Sequence, residues 1–573
     1  MSRGSSKLPY NEDHGLYLNS RTSLDRTETS YDDFRGAEAD AASTRSLINR
    51  EISMEDTQIK DEDNSAPLRK SLRQYSSLVW WMLAMSTAIL YGGYDSVILG
   101  TLNAVPAYQR DFGDWMEVPD ENDKNKMIWE WTIPALWLSL WDGIGPLGQV
   151  VGAALGGWLL DRMGRRFCLL LGSIIGAGAI LTLMFSNMPA NKQWRRIMIL
   201  IGKVIQGVGL GIIKIETYTY MSEVIPVSLK GAVMSLIPTF TLLGQLIGAV
   251  VIFTVSSDDR PLSYLIALGS QFALALPPFI LAFFLPESPA YLLKNKNSYG
   301  AHQSFARLLG PKNNADTAVR KLQDTLDEEA RNAAKVGYIE CFNTANRRRT
   351  LIVIFAGSME FFFGLSLLSS VSYFLQQLGM DASQSILFLI AGIVIGLIAN
   401  AGSAWTLSHI GRRKLTITTL LITSGLWTVM GFAGIKQLEF TAWLAGGLCT
   451  AIVVTCGLGC WPASYAILGE TSSVRLRSKS QALGSLSGSL SGIAMNAGLP
   501  YLYNPDAANM GAKTGFLFTT LSAIGAVLMY LFVPELKGKS ALEIDHLFEK
   551  GVKAIGSSKW RDTAYDDVPL GNA

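Results

Sequence analysis

Histidine, cysteine and charge are all scarce in this sequence: 573 residues carry 4 histidines, 5 cysteines and only 17% Asp, Glu, Lys and Arg. Cys168, Cys341, Cys449, Cys456 and Cys460 form no CxxC, so no disulfide framework is implied. Cys456 and Cys460 stand one helical turn apart with no histidine nearby, a pattern that suits small packing residues better than a zinc site. No basic stripe is interleaved with aromatics, and the net charge is only +2, which argues against a nucleic-acid partner. The glycine runs GVGLG at Gly207 and GSLSGSLSG at Gly484 lack the strand and the Lys-Ser/Thr of a phosphate loop; tight helix packing explains them. With no Ser/His/Asp set either, the chain does not read as an enzyme, and no metal or organic cofactor is expected. No cleavable signal opens the chain, since its first long apolar run begins near Leu78 and is long enough to stay as a spanning helix.

What is present is apolar: 49% of residues are hydrophobic and 54 are glycine, as in helical membrane proteins. Runs of about 20 residues cross ~30 Å of hydrocarbon, and six of them fall near 78–105, 135–160, 167–188, 197–222, 231–256 and 262–285. Six more fall near 350–378, 384–408, 414–436, 440–468, 476–501 and 515–534. The expected fold is therefore an all-α membrane protein with twelve spanning helices in two pseudo-symmetric six-helix bundles, 75–285 and 350–534. Residues 1–74 are too polar to bury a core and read as a disordered cytoplasmic tail. Residues 286–349 read as a cytoplasmic linker with short helices, and 535–573 as a second cytoplasmic tail.

Arg162, Arg165, Arg166, Lys230, Arg347–Arg349, Arg412–Lys414, Arg475, Arg477 and Lys479 fall in the inner loops, whereas the first outer loop, RDFGDWMEVPDENDKNK, is acidic on balance. Both termini are expected in the cytoplasm; Lys192, Arg195 and Arg196 are the exception on the outer side.

The halves repeat each other. Gly164-Arg165-Arg166 recurs as Gly411-Arg412-Arg413, and Glu223 with Lys230 as Glu470 with Arg477, both at an offset of 247 residues; Pro286-Glu287 recurs as Pro534-Glu535 at 248. A duplicated six-helix unit with its site between the halves is transporter architecture. Asp161, Arg165, Arg166, Glu223, Lys230, Arg412, Arg413, Glu470 and Arg477 form a candidate cytoplasmic charge latch. In it Glu223 pairs with Arg165 or Arg166 and Glu470 with Arg412 or Arg413, holding the cytoplasmic face shut in one state, a breakable set that a switch requires; Ser408 stands where the first copy has Asp161. Asp95, inside LYGGYDSVILG, is a functional candidate because a carboxylate in hydrocarbon costs several kcal/mol unless it meets a partner or water.

GYD, DRMGRR, SEVIPVSLKG, PESPAYLL and PELKG resemble the sugar-porter family of the major facilitator superfamily. Tyr465, the run from Glu470 and NPDAANMGAKTGF from Asn504 are most similar to fungal α-glucoside (maltose-type) permeases. The resemblance implies a small-molecule sugar substrate, the proton as coupling ion, a monomer in the lipid bilayer of the plasma membrane, and alternating access. It puts the proton site at Asp95 with Lys203 modulating it, and substrate binding at Gln245, Glu360, Ser366, Tyr373 and Tyr465. The family's further acids are replaced by Gly92 and Gln149, and an Arg-Asn pair by Ser485 and Leu486, while Asp142, Lys214 and Glu216 are new charges with no assigned role. A non-transporting sensor and a proton-independent facilitator are the rival expectations.

Overall fold

The computed structural model describes residues 73–560 apart from short breaks at 120–126, 227–228, 230–232, 234–235, 257–259, 311–314, 334–337, 436–439, 473–475, 538, 540 and 559. The N-terminal tail and Lys230 and Arg475 of the inner-loop set thus lie outside the described residues, as does the side chain of Arg477.

The first half contains α1 (Ser76–Thr101), α2 (Pro106–Phe112), the hairpin β1 (Asp114–Pro119) and β2 (Met127–Thr132), α3 (Ala135–Met163), α4 (Arg165–Met184), α5 (Lys192–Val224), α6 (Leu236–Val255) and α7 (Pro261–Phe284). The strands pair antiparallel with Trp115 opposite Trp131. Three helices follow, α8 (Pro289–Lys294), α9 (Ser298–Leu309) and α10 (Ala315–Ala333). The second half contains α11 (Thr344–Gly357), α12 (Met359–Phe362), α13 (Leu365–Ser369), α14 (Val371–Gln376), α15 (Ala382–His409), α16 (Arg412–Ala433), α17 (Thr441–Leu458), α18 (Cys460–Glu470), α19 (Arg477–Tyr503), α20 (Gly515–Phe532) and α21 (Ala541–Glu549).

Among the described residues, ten helical spans are long and apolar enough to cross a membrane, so this is a multi-pass membrane protein. The expected span at 350–378 is instead broken into α11–α14. The break has a local cause, because Gly364 takes a left-handed φ of +92° and packs Trp427 and Phe518 where a Cβ would stand. The span expected at 440–468 is similarly divided at Gly459, between α17 and α18.

Helix contacts repeat between the halves: α3 and α4 both pack on α5, as α15 and α16 pack on α17, and α1 packs on α6 as α11 packs on α19. Two seams join the halves, α3 against α19 and α6 against α15. Glycine sets the closeness of these contacts. A Cβ at Gly148 or Gly152 of α3 would strike the carbonyls of Val204 or Val208, and one at Gly207 or Gly211 of α5 those of Gly145 or Gln149; small residues let helix backbones approach where lipid supplies no hydrophobic drive. In the GSLSGSLSG ridge, Gly484 and Gly488 meet Gly357 of α11 in the same way.

At one end the halves are tied together by polar bonds. Asn504 Nδ2 donates to the Ile133 carbonyl at 2.9 Å, the Ala135 amide donates to Asp506 at 2.8 Å, and Gln376 donates to the Ala104 carbonyl at 2.5 Å. Near that end Lys192 and Arg196 pair with Asp114 and Arg195 with Asp111, at 3.6, 2.7 and 3.9 Å. Two carboxylates thus offset two of the three positive charges that break the loop-charge pattern. At the chain's other extremity α21 is packed rather than trailing: Ile544, Leu547 and Phe548 join Ile352 and Met529 in one core cluster, and Arg349 pairs with Asp545.

Gly211→Leu forces α3 and α5 apart and costs at least about 1–3 kcal/mol, the usual range for overpacking. Gly425→Ala, where a Cβ meets nothing within 4 Å, stays near neutral; thermal unfolding of the detergent-purified protein reads both.

Candidate functional site

Two charge clamps stand at the end opposite the Asn504 contacts, one in each half. Arg165, at the first turn of α4, donates through Nε to Glu223 Oε2 at 3.1 Å and through Nη2 to Glu223 Oε1 at 2.5 Å. Its Nη1 bonds the Leu160 carbonyl at 3.1 Å. The second copy reproduces this at the same offset: Arg412 Nη2 to Glu470 Oε1 at 3.0 Å and Nη1 to the Leu407 carbonyl at 3.2 Å. Of the two arginines open as partners in each half, the first is the one used. Arg166 and Arg413 instead donate to carbonyls at the ends of α7 and α20, Phe283 at 2.6 Å and Tyr530 at 2.7 Å. Asp161 departs from expectation: it is exposed and makes no ion pair among the described residues, since its position on the last turn of α3 lies away from Arg165.

The acid that does join the first clamp is Glu287. It accepts the backbone amides of Arg165 at 2.8 Å and Arg166 at 3.3 Å, satisfying the open N–H groups of α4 and placing negative charge at the helix's positive end. Ser288 adds a bond to Glu223 at 2.6 Å. The recurrence of Pro-Glu at Glu535 was the available signal, and Glu535 lies against Gly411 in the second half. The copies are unequal, because Arg412 Nε and Glu470 Oε2 are buried without partners and the second pair is more exposed, 20% and 33% against 3% and 17%.

Deeper in the membrane, Asp95 is 3% exposed. Gln206 of α5 donates to Asp95 Oδ1 and also to Gln271 of α7 at 2.6 Å, an amide bridge across three helices. Gln206 was open to sequence reasoning as an amide one turn after Lys203 within an apolar run. Lys203, expected to face Asp95, has Asp142 as its salt-bridge partner, Nζ to Oδ1 3.4 Å, and lies 5.9 Å from the Trp141 ring centroid. Asp142 of α3 is thus its direct contact, while Asp95 stays within its electrostatic range.

Next to Asp95, the exposed Ser96 accepts from Gln245 Nε2 at 3.4 Å. Within the second half, Glu360 Oε1 accepts from Trp461 Nε1 at 2.8 Å and Tyr465 OH at 2.5 Å, with Tyr465 60% exposed. Lys214 is exposed and reaches Gln149 at 3.4 Å, within electrostatic range of both Asp95 and Glu360. A small pocket lies between the halves, walled by Asp142 on one side and Ser366, Ser370, Asn496 and Tyr503 on the other. Tyr373 does not face it openly. Its side chain is 1% exposed, donates to Asn504 Oδ1 at 2.9 Å and packs on Tyr503, so it belongs to the closed end rather than to a stacking platform. Glu216 is fully buried, and among the described residues Thr217 alone donates to it, at 3.2 Å. Among the described residues no His/Cys/Asp/Glu group is arranged to hold a metal, and all five cysteines are free and buried.

Removing Glu223 strands a guanidinium that is 3% exposed, so Glu223→Ala costs about 3–5 kcal/mol. Glu470→Ala costs about 1 kcal/mol, because the second pair is wetter and held by one bond. Thermal unfolding of the two variants reads the difference; equal losses would contradict the inequality of the clamps.

Residues 80–548 match the family described as sugar (and other) transporter. The chain is 29% identical over 528 residues to alpha-glucosides permease MPH3 of Saccharomyces cerevisiae, covering 90% of this chain and 85% of the permease. It is 30% identical over 470 residues to the MFS transporter fmqE of Aspergillus fumigatus, covering 80% and 83%. Two structures of the xylose transporter XylE from E. coli, one partially occluded inward open and one inward open, superpose with TM-scores of 0.65 at 17% and 19% identity. They cover 81% and 82% of this chain and 100% and 99% of theirs, a likeness of fold. The chain thus belongs to the sugar-transporter family of the major facilitator superfamily, whose members are membrane carriers and not enzymes.

Proposed function

We propose that this protein is a proton-coupled carrier of an α-glucoside such as maltose, working by alternating access in the plasma membrane with both termini in the cytoplasm. The observation that carries the reading is Asp95: a buried carboxylate with an amide rather than a cation in direct contact. Such a group is costly when charged and tolerable when protonated, which is the behaviour a proton-carrying site requires. The α-glucoside assignment is supported by the likeness to alpha-glucosides permease MPH3 and to maltose permease MAL31 of Saccharomyces cerevisiae.

The twelve-helix count follows if the interrupted segment α11–α14 and the Ser/Gly-rich α19 are added to the ten apolar spans. The Asn504 end is then extracellular and closed, and the site opens to the cytoplasm between the clamps. Gln245, Glu360, Ser366 and Tyr465 offer sugar hydroxyls both donors and acceptors. In the cycle, Asp95 takes a proton from outside, sugar binds between the halves, the inner face opens, and Asp95 releases its proton inward. Sugar and proton drive the change only through their different affinities for the two states.

Radiolabelled maltose and glucose uptake into proteoliposomes, with and without an imposed proton gradient, tests the reading. The wild type accumulates sugar with the gradient, and Asp95→Asn loses accumulation while keeping exchange. Uptake indifferent to both gradient and Asp95 identifies a facilitator, and sugar binding without uptake identifies a sensor.

A further inference from the structure

The salt bridge between Lys203 and Asp142 occupies an unusual place. Asp142 forms the first half's polar wall of the pocket between the halves, whereas its partner Lys203 is 5% exposed and faces the protein interior. The opposite wall is polar as well, with Ser366, Ser370 and Asn496, and the Ser366 hydroxyl is buried without a partner. Behind the wall, Gln206 follows Lys203 by three positions on α5 and therefore shares its face. Gln206 holds Asp95. Lys203 thus touches the pocket's carboxylate on one side and neighbours the amide that holds the buried acid on the other.

The charged groups around this line are Asp95, Asp142, Lys203 and Lys214, with the phenols of Tyr91, Tyr108, Tyr373 and Tyr503 beside them. A phenol with an ordinary pKa of about 10 carries no charge near neutrality. The acid–base traffic therefore runs among the two acids and the two lysines.

We propose that Asp142 is a substrate-contacting carboxylate, and that its ion pair with Lys203 links the sugar to the proton site. A ring hydroxyl in the pocket donates to Asp142 and loosens its hold on Lys203. The freed ammonium then stabilises ionised Asp95, whose proton passes to water on the open side. Asp142 acts on the sugar directly, and Lys203 is a positioning residue that acts through Asp95. The inference rests on the sugar-transport reading above and assigns its coupling to a carboxylate in the third helix of the fold.

The test is Asp142→Asn, Lys203→Gln and the double variant in proteoliposomes, with radiolabelled maltose and glucose. Asp142→Asn raises the half-saturating sugar concentration about tenfold, the loss of one charge-assisted hydrogen bond. It also loses gradient-driven accumulation more than exchange, because unopposed Lys203 holds Asp95 ionised. The double variant regains the ratio of accumulation to exchange but not the affinity. Should Asp142→Asn fold poorly, the double variant, which removes the unpaired ammonium, and Asp142→Glu carry the comparison. A wild type that transports sugar alongside an Asp142→Asn variant of unchanged affinity overturns the inference and leaves the transport reading standing. Losses in the double variant equal to the sum of the single losses overturn it too, and a wild type that moves neither sugar sinks both.

Discussion

A charge inside hydrocarbon must be answered by another group, and this one requirement organises the molecule from end to end. Translocation-type estimates put an unpaired charge at the centre of a span at about 2.5–3.5 kcal/mol or more, comparable to a large part of a protein's net stability. Each buried charge therefore fixes which helix faces must meet. Asp95 and Gln206 set the rotation of α1 against α5, Lys203 and Asp142 that of α5 against α3, and Arg165 and Glu223 that of α4 against α5. All three constraints converge on α5. Its glycines let α3 and α4 close on it tightly enough for side chains of ordinary length to reach, so close packing and charge pairing support each other.

Duplication copies this arrangement but not its strength. Arg165 and Arg412 reach equivalent carboxylates and equivalent carbonyls, Leu160 and Leu407, at the shared offset of 247 residues. Only the first pair is bidentate and reinforced, through Ser288; Leu536 occupies the corresponding place after Glu535. A hydroxyl that completes one clamp is thus an apolar side chain in the other. Bidentate arginine pairs add geometric specificity as well as energy, so the first half holds its shape at this end more firmly than the second.

What sequence could reveal followed how local the information is. The clamps were legible because each lies in a short motif that occurs twice, and the offset identifies the partners without any knowledge of helix rotation. The repeated helix contacts follow for the same reason. Lys203 was legible only in part: its electrostatic reach to Asp95 fits the motif, but Asp142 as its direct partner depends on the rotation of α3 against α5, 100° per residue, which no motif marks. Tyr373 failed differently. An aromatic in an apolar run has the same composition whether it lines a cavity or fills a core, and Asn504, 131 residues away, decides the matter by accepting its hydroxyl. The breaks at Gly364 and Gly459 were hidden inside apolar runs, since glycine in a membrane helix marks close packing as often as a turn.

The two ends of the molecule are held by different chemistry, and that difference bears on how it moves. At the Asn504 end the bonds run between halves, and apart from Asp506 they join neutral amides and carbonyls, each contributing about 0.5–1.5 kcal/mol. At the other end the clamps lie within their own halves and so do not resist separation of the bundles. Parting the halves at that end breaks a few modest bonds together with packing along the α3–α19 and α6–α15 seams, while the costly buried pairs stay intact. The buried charges give each bundle its shape, and the balance between conformations is left to weaker contacts that a bound solute can outweigh.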